Sequence, residues 1–341
     1  MSTTTLHVRP ELGPWRKHWD DLVLRQPLPS PFQRSWWLEA LIPSGVVHAL
    51  VTDGDRLLGG LALGSATRAG VTRLTAPGPP VLCPDHLDVL AEPGHEPAVV
   101  QALGRWFRSP GQRQVDVRGA VAGGLLAQVV GGTHHQHDEA PYDELEPGAD
   151  WLAARSSGFR RSVRRGRKRL DEAGYEHRRL PADEVGRGLE ELRLLHERRE
   201  DRGPLLDALP VLARAVTAGA ARGEARVDVL ASAHDTAAVV VSFVVGGRLS
   251  LYQVARSTAP EHGSAGTALL AAVVEDAAAA GCREVDMLRG SEDYKTSFVD
   301  RTRALERVRG AHGGWAATLL RAEDGARRVS ARLRSRGGSG A

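Results

Sequence analysis

The order of predicted elements in the second half of the chain most restricts its fold. A strand is followed by two helices, three strands, a loop and helix, and two further strands. By apolar periodicity and turn residues, these elements cover about residues 175–180, 182–202, 205–221, 225–232, 237–246, 248–255, 267–280, 284–288 and 305–310. Gly246-Gly247 predicts a hairpin turn between the second and third of the three strands. This order predicts an α/β (α+β) fold, with a mixed sheet flanked by helices.

The first half reads as alternating helices and strands with a less defined order. Residues 131–150 are polar and are predicted to be loop-rich, with their three histidines in a loop or an edge strand. At 341 residues the chain is long enough for about two domains. We predict an N-terminal half over 1–150, a basic linker helix over 151–174, a C-terminal domain over 175–324 and a disordered tail over 325–341.

Composition narrows the class of protein. The chain is 42% hydrophobic and 26% charged, as expected for a water-soluble globular protein. No apolar run approaches the ~18 residues that span a bilayer, and the N-terminus lacks the apolar core of a secretory signal. Cys83 and Cys282 are the two cysteines and predict neither a disulfide framework nor zinc spacing. A cytoplasmic location without a membrane span is therefore predicted.

A cluster of cations is the strongest local bias in charge. Residues 155–179 hold ten basic and three acidic residues, a net charge of +7 in a chain whose total is +3. Phe159, Val163, Gly166 and Leu170 form one apolar helical stripe, with Ser157 as a candidate N-cap and Gly174 as a stop. The cationic faces predict either a solvated linker or a phosphate-binding surface that includes Arg164, Arg165 and Arg167.

Histidines 134, 135 and 137 are the only group that raises the question of a metal. Adjacent residues of an extended chain point apart, and no cysteine completes a ligand set. We predict no metal site.

Two late segments carry the residue types of a catalytic site. His262-Gly-Ser-Ala-Gly266 precedes a helix, and backbone N–H groups at a helix N-terminus bind anions such as a pyrophosphate. Residues 286–298 end a strand and contain Tyr294 and Lys295, one of three lysines in the chain. The alternative for this second segment is an ordinary helix start with Ser291 as N-cap.

Four motifs resemble a known family. They are Pro31-Phe-Gln-Arg-Ser-Trp-Trp37, Phe159-Arg-Arg-Ser-Val-Arg-Arg-Gly-Arg-Lys-Arg-Leu170, Gly263-Ser-Ala-Gly-Thr-Ala-Leu-Leu270 and Asp286-Met-Leu-Arg-Gly-Ser-Glu-Asp-Tyr-Lys295. With the element order, they resemble the GNAT-like, cellulose-biosynthesis-associated (CelD-like) acetyltransferases, relatives of the FemAB aminoacyltransferases. Met287 replaces that family's usual aromatic residue. The resemblance covers nearly the whole chain and implies a tandem of two GNAT-like halves, with two mixed sheets flanked by helices.

The resemblance implies an acyltransferase that uses acyl-CoA as co-substrate, with no tightly bound cofactor, and an amine as acceptor. The pyrophosphate would rest on His262, Gly263, Ser264, Ala265, Gly266 and Thr267. Backbone N–H groups near Tyr252 and Val254 would polarise the thioester. Tyr294 would protonate the leaving thiolate, Asp286 or Glu292 would accept the amine proton, and Lys295 would bind a phosphate or carboxylate. Asp286 is equally well explained as a cap of the following turn.

Two alternatives remain open from sequence. FemAB relatives take their acyl group from aminoacyl-tRNA, and the cationic helix would then contact RNA. A non-catalytic GNAT-like accessory protein is the third possibility. The acceptor, the acyl chain length and the oligomeric state are not encoded in any pattern of the sequence.

Overall fold

The computed structural model describes residues 4–146 and 148–337. The helices are named α1 to α9 in chain order. They cover Arg16–Arg25, Ser35–Ala40, Glu96–Phe107, Leu125–Val130, Ser157–Glu172, Val185–Glu197, Gly203–Ala220, Ala265–Ala279 and Gly314–Gly337. None of the helices in these residues has both the length and the hydropathy to cross a bilayer.

The strands are named β1 to β13. They cover Thr5–Arg9, Val46–Asp53, Arg56–Arg68, Val71–Thr75, Leu90–Ala91, Arg113–Val121, Thr133–Glu144, Glu176–Arg179, Ala225–Ala231, Thr236–Val245, Arg248–Arg256, Glu284–Asp286 and Arg301–His312. Within the described residues they form one mixed sheet of 13 strands, in the order β1-β2-β3-β4-β6-β13-β7-β12-β11-β10-β9-β8, with β5 paired to β3. The predicted α/β fold with mixed, helix-flanked sheet structure is confirmed, and the two predicted sheets are joined into one within the described residues.

The two halves of the sheet exchange their last strands. β7, from the first half of the chain, pairs with β12 of the second half. β13, from the second half, pairs with β6 of the first half. β7 and β13 also pair with each other over Arg301–Tyr142 to Arg309–Thr133. The sheet is therefore continuous, and each half depends on a strand supplied by the other.

Aromatic residues of the first motif join the two halves. Phe32, Trp36 and Trp37 are fully or almost fully buried. Their rings pack edge-on or tilted against Phe243 and Tyr252 of the second half, with centroids 5.4–6.0 Å apart. Such pairs are favourable beyond the area that they bury. The motif thus acts as a packing element between the halves.

Three predicted segments differ from the structure. The segment 131–150, predicted to be loop-rich with its histidines in a loop or an edge strand, contains β7, which is an interior strand of the sheet. The predicted helix over 182–202 ends at Glu197, because a 3-10 turn over Glu200–Arg202 leads into α7, with Pro204 in its first turn. The last helix continues to Gly337 through most of the predicted tail, and residues 338–341 lie outside the described part. The four-part domain division stays a prediction.

Candidate active site

A cleft opens where two parallel strands of the second half part. β11 and β12 pair only over Arg248–Glu284, Leu249–Val285 and Ser250–Asp286. β11 then continues to Arg256, whereas the chain after Asp286 follows β7, with Met287 N donating to Pro141 O at 2.8 Å and Gly290 N to Glu139 O at 3.1 Å. Residues 251–256 therefore have no strand partner on that edge within the described chain. A bulge opposite Val241 and Ser242 further distorts β11 at Tyr252.

A cavity of about 410 Å³ occupies this cleft. Its wall combines the free part of β11, the start of α8, the segment after β12 and the turn between α6 and α7. The lining residues are Arg199, Arg202, Val254, Arg256, Ser264, Gly266, Thr267, Leu270, Glu292 and Tyr294. Six of the residues predicted from sequence thus meet in one cavity: Val254, Ser264, Gly266, Thr267, Glu292 and Tyr294.

The start of α8 presents backbone donors to the cavity. Ser264 precedes the helix in the left-handed conformation, with φ of 74°, and its side chain makes no capping hydrogen bond. The first helical bond runs from Ala268 N to Ser264 O at 2.9 Å, so the N–H groups of residues 265–267 have no helix carbonyl to bind. Together with the helix dipole, they form an anion-binding terminus.

Three arginines missed by sequence reasoning surround this terminus. Arg199 and Arg202 come from the turn between α6 and α7, and Arg256 ends β11. Arg199 and Arg202 share Asp201 at 3.4 Å. The sequence contains a signal for Arg199 and Arg202, because Gly203-Pro204 is typical of a helix start and so predicts that both arginines lie in a connecting turn. The cavity is therefore cationic on the side that faces the helix terminus.

Tyr294 is a partly exposed residue of the cavity wall and carries a hydroxyl group. Its side chain is 44% exposed and its ring meets Phe298 edge-on at 6.3 Å. Burial of the ring, followed by the charge of Glu292, raises the pKa of Tyr294 to about 12. The hydroxyl therefore keeps its proton at neutral pH and is available as a hydrogen-bond donor.

Glu292 and Lys295 form a pair at the cavity edge. Glu292 Oε2 lies 2.9 Å from Lys295 Nζ. Burial is the largest single influence and opposes the charge on Glu292, but the hydrogen bond from Lys295, a backbone hydrogen bond and the charges of Lys295 and Arg202 together outweigh it, so the pKa of Glu292 is lowered. Lys295 Nζ also donates to the carbonyls of Arg289 at 2.6 Å, Leu288 at 3.3 Å and Gly290 at 3.4 Å.

These bonds change the interpretation of Lys295. It is 4% exposed and its ammonium group is surrounded by oxygen atoms of its own segment. It does not line the cavity. The structure therefore favours a role in folding the segment 288–295 over the predicted binding of a phosphate or carboxylate. The segment itself is a 3-10 helix over Asp293–Ser297 with Glu292, not Ser291, at the N-cap position.

Asp286 does not line the cavity. It is fully buried, and its Oδ1 accepts a hydrogen bond from Leu288 N at 2.7 Å. Its Oδ2 lies 2.7 Å from His86 Nε2 and 3.2 Å from Arg303 Nη1. Burial alone would raise the pKa of Asp286, but His86, Arg248 and Arg303 together hold it at about 2. Of the two predicted roles, the geometry favours the turn cap over the base.

The remaining loop and strand residues divide between structure and site. The Tyr252 hydroxyl donates to Leu82 O at 2.8 Å and its ring packs in the aromatic cluster, so Tyr252 does not line the cavity. His262 is buried against Tyr175, with Nε2 2.6 Å from the tyrosine hydroxyl, and lies away from the cavity. The N–H of Gly263 is used by Pro260 O, and Ala265 is buried.

The cationic helix α5 packs beside the start of α8. Ser156, one residue before the predicted Ser157, caps it by accepting from Phe159 N. Arg167 pairs with Glu275 of α8 at 2.5 Å, and Arg169 donates to Gly263 O in the loop. Arg164 and Arg165 are exposed on a shallow groove that they share with Ser157, Arg160, Arg161 and Lys168. The three predicted arginines therefore lie outside the cleft, and Arg167 is tied to α8.

Candidate metal ligands are either dispersed or already neutralised. His134, His135 and His137 are exposed on β7, and His134 lies 3.3 Å from Glu306. Among the described residues, the ligand atoms of His177, Asp228 and Asp276 converge within 4.8 Å. Arg179 donates to both carboxylates at 3.2 Å, so a guanidinium already occupies the position of a cation.

A family model matches the part of the chain that builds the cleft. The match spans residues 157–296, and the family is described as the acetyltransferase (GNAT) domain. Residues 157–296 are therefore similar to the GNAT domain. The predicted enzyme class, an acyltransferase, is confirmed at this level. A comparison with curated protein sequences finds no match.

Solved structures share the fold of the whole chain. FemX matches with a TM-score of 0.64 at 10% identity, covering 89% of this chain and 96% of that one. The C-terminal domain of a lysylphosphatidylglycerol synthetase from Agrobacterium fabrum matches at 0.56 and 14% identity, covering 90% and 95%. A tandem GNAT protein from the clavulanic acid pathway matches at 0.50 and 12% identity, covering 91% and 99%. These likenesses show the fold.

Proposed function

We propose that this protein transfers an acyl group from acyl-CoA to an amine. The observation that carries the proposal is the meeting, in one cavity, of the uncapped start of α8 and the Tyr294 hydroxyl. The first suits a pyrophosphate, and the second stands where the strands part and a thioester would lie. The match of residues 157–296 to the GNAT domain supports the same reaction class.

The donor would bind along β11 with its phosphates at the helix terminus. The N–H groups of residues 265–267 would contact the pyrophosphate, with Arg199, Arg202 and Arg256 neutralising its charge. The pantetheine arm would follow the free edge of β11, where backbone groups lack a strand partner. A backbone N–H near Val254 would polarise the thioester carbonyl, as an oxyanion site does.

The chemical step joins the amine nitrogen to the thioester carbon and breaks the carbon–sulfur bond. An ordinary thiol has a pKa near 8.5, well below the value of about 12 for Tyr294. The tyrosine therefore stabilises the departing thiolate by hydrogen bonding, and the proton released by the attacking nitrogen balances the reaction. We assign the receipt of that proton to Glu292, which lines the cavity, and not to Asp286, which is fully buried.

A donor screen with mass-spectrometric detection of free CoA and acylated amine tests the proposal. Acetyl-CoA, longer acyl-CoAs and free CoA are compared by thermal shift, because a ligand at ~100 times its Kd adds about 2.7 kcal/mol of stability. Tyr294→Phe is expected to lower turnover about 100-fold and to change the donor Kd less than about twofold. Stability unchanged by every CoA compound would refute acyl-CoA as donor.

Aminoacyl-tRNA is the second candidate donor, and the surface of α5 favours it. Arg161, Arg164 and Arg165 are exposed and form no ion pair within the described residues, and Lys168 has only Glu172 at 3.8 Å. FemX and the lysylphosphatidylglycerol synthetase domain share the fold. The FemAB resemblance belongs with this candidate, whereas the CelD-like resemblance belongs with acyl-CoA. Cation-rich surfaces bind RNA with a steep dependence on salt.

Binding of charged tRNA separates the two donors. Changing Arg161, Arg164 and Arg165 together to glutamine is expected to abolish tRNA retention at moderate salt, if tRNA is the donor, and to leave acyl-CoA turnover unchanged if it is not. No tightly bound cofactor takes part in either scheme, and the cytoplasmic location stays a prediction.

A further inference from the structure

Residues 82–86, a loop of the first half, contact an element on each side of the cleft. The Tyr252 hydroxyl of β11 donates to Leu82 O at 2.8 Å. The backbone N–H of Arg289, after β12, donates to Asp85 Oδ2 at 2.8 Å, and the Arg289 side chain donates to Asp85 Oδ1. The loop 82–86 therefore joins the two elements whose separation opens the cleft.

The segment 287–290 leads from β12 toward Tyr294 and takes most of its backbone partners from the first half. In chain order, its four N–H groups donate to Pro141 O, Asp286 Oδ1, Asp85 Oδ2 and Glu139 O. Two of these acceptors are carbonyls of β7, and the third acceptor from the first half is the Asp85 side chain. A buried backbone group without a partner is costly, so the path of the segment depends on these acceptors.

The backbone is strained on both sides of this contact. Among the described residues, five that are not glycine have a positive φ, and Cys83, His86 and Leu288 are three of them, with φ of 44°, 55° and 54°. Such conformations persist only where the surroundings hold them, and they cluster at functional sites. His86 Nε2 lies 2.7 Å from Asp286 Oδ2, two residues before Leu288, so the strained residues of the loop and of the segment belong to one junction.

The junction uses both oxygens of Asp85. The Asp85 side chain is fully buried, and each of its oxygens accepts a hydrogen bond from Arg289. Hydrogen bonds to an ionised group are about twice as strong as those between neutral groups. Asp85→Asn would present an NH2 group to one of the two N–H donors, so one bond would be lost at an almost unchanged side-chain volume.

We propose that Asp85 is a positioning residue that sets the place of Tyr294 in the cleft through the segment 287–290. Asp85 does not line the cavity, so it acts on the reaction through Arg289 and not by contact with the donor. The assignment rests on the proposed acyl transfer, in which Tyr294 stabilises the departing thiolate. A misplacement of about 1 Å can lower a rate about 100-fold, so the effect of Asp85 is expected in kcat.

A double-mutant cycle with Tyr294→Phe tests whether Asp85 acts through Tyr294. Asp85→Asn alone is expected to lower kcat at least about tenfold and to change the donor Kd less than about twofold. In the Tyr294→Phe background the same change should alter kcat less than about twofold, because the hydroxyl that Asp85 positions is already absent. A role in stability alone would lower kcat by the same factor in both backgrounds.

Asp88→Asn is the matched control in the same part of the chain. Asp88 accepts two backbone hydrogen bonds, from Leu125 N at 3.0 Å and Leu126 N at 2.7 Å. These bonds hold the start of α4 and involve neither β11 nor the segment 287–290. Asp88→Asn is therefore expected to turn over as wild type does.

Gly119→Ala disturbs the same junction and leaves every charge in place. Gly119 of β6 has φ of 75°, and a methyl group there would collide with the Arg289 guanidinium, Pro84 O and Asp85 Oδ1. Gly123→Ala is its control, because Gly123 has φ of 69° and a methyl group there meets nothing within 4 Å. Gly119→Ala is expected to reproduce the loss of kcat, whereas Gly123→Ala should retain the wild-type kcat.

Hydrogen exchange of the protein without ligands tests the positioning independently of turnover. Amides of residues 287–295 should exchange at least about tenfold faster in Asp85→Asn than in wild type, with β10 protected as before. This result together with a failure of every acyl-CoA would refute the proposed function alone. If Asp85→Asn does not fold, Gly119→Ala decides by the same measurements. The assignment is overturned if residues 287–295 exchange as in wild type, if kcat is unchanged, or if kcat falls equally in both backgrounds.

Discussion

Replacing Gly166 by alanine tests whether α5 positions the donor loop. A methyl group at Gly166 would lie 3.0 Å from Ser264 Cβ, the residue that precedes α8. Alanine favours a helix over glycine by about 1 kcal/mol, but overpacking at such a contact costs about 1–3 kcal/mol. The expected net result is a loss of up to about 2 kcal/mol of unfolding free energy, or a displaced loop.

Gly158 is the matched control on the same helix. A methyl group there meets nothing within 4 Å, so Gly158→Ala is expected to be neutral or stabilising by up to about 1 kcal/mol. Urea unfolding gives the two free energies, and titration with the donor gives the Kd. We expect Gly166→Ala alone to weaken donor binding. If both variants stabilise equally and bind the donor equally, the contact between α5 and the loop has no functional consequence.

Three other perturbations follow from the same contacts. The pKa of Asp286 is about 2 in the folded protein, whereas that of an aspartate is ordinarily near 3.9. The difference predicts a contribution on the order of 2 kcal/mol to the free energy of unfolding, which is present above pH ~4 and is lost as the pH falls toward 2. Urea unfolding of Asp286→Asn should lack this pH dependence. Lys295→Met leaves the carbonyls of residues 288–290 without their donor and should cost about 2–4 kcal/mol, measured by the urea midpoint; wild-type stability would exclude the structural role. Fragments 1–150 and 151–341, produced separately, should each lack a cooperative transition and should regain one on mixing, as seen by circular dichroism, because each lacks a strand.

Local patterns predicted the elements of the second half well. Gly246-Gly247 is the turn of the β10–β11 hairpin, and both glycines have positive φ. The apolar stripe of Val163, Gly166 and Leu170 is the buried face of α5. The loop before α8 was placed by glycine and serine alone. Each of these features depends on neighbours within a few residues, which a single sequence contains.

Site residues were separable only in part. Glu292 and Tyr294 line the cleft, but Lys295, the next residue in the chain, is buried. Whether Lys295 lines the cleft or is buried depends on the carbonyl groups that its ammonium group contacts. Those carbonyls belong to a loop that is held in place by hydrogen bonds to β7. The role of Asp286 depends on its contact with His86, which lies 200 positions away in the chain, and no spacing rule connects the two residues.

The strand exchange explains why the sequence pattern does not indicate an interior strand within the polar segment 131–150. Its histidines are exposed on β7, and a strand with exposed polar residues on both faces has no period-two pattern to identify it. β7 is held in the sheet by backbone pairing with β12 and β13, and a side-chain pattern does not indicate such pairing. The same pairing draws residues 287–290 away from β11 and so opens the cleft. β7, the strand of the first half that the sequence pattern indicates least clearly, therefore shapes the candidate active site of the second half. The two halves form one functional unit.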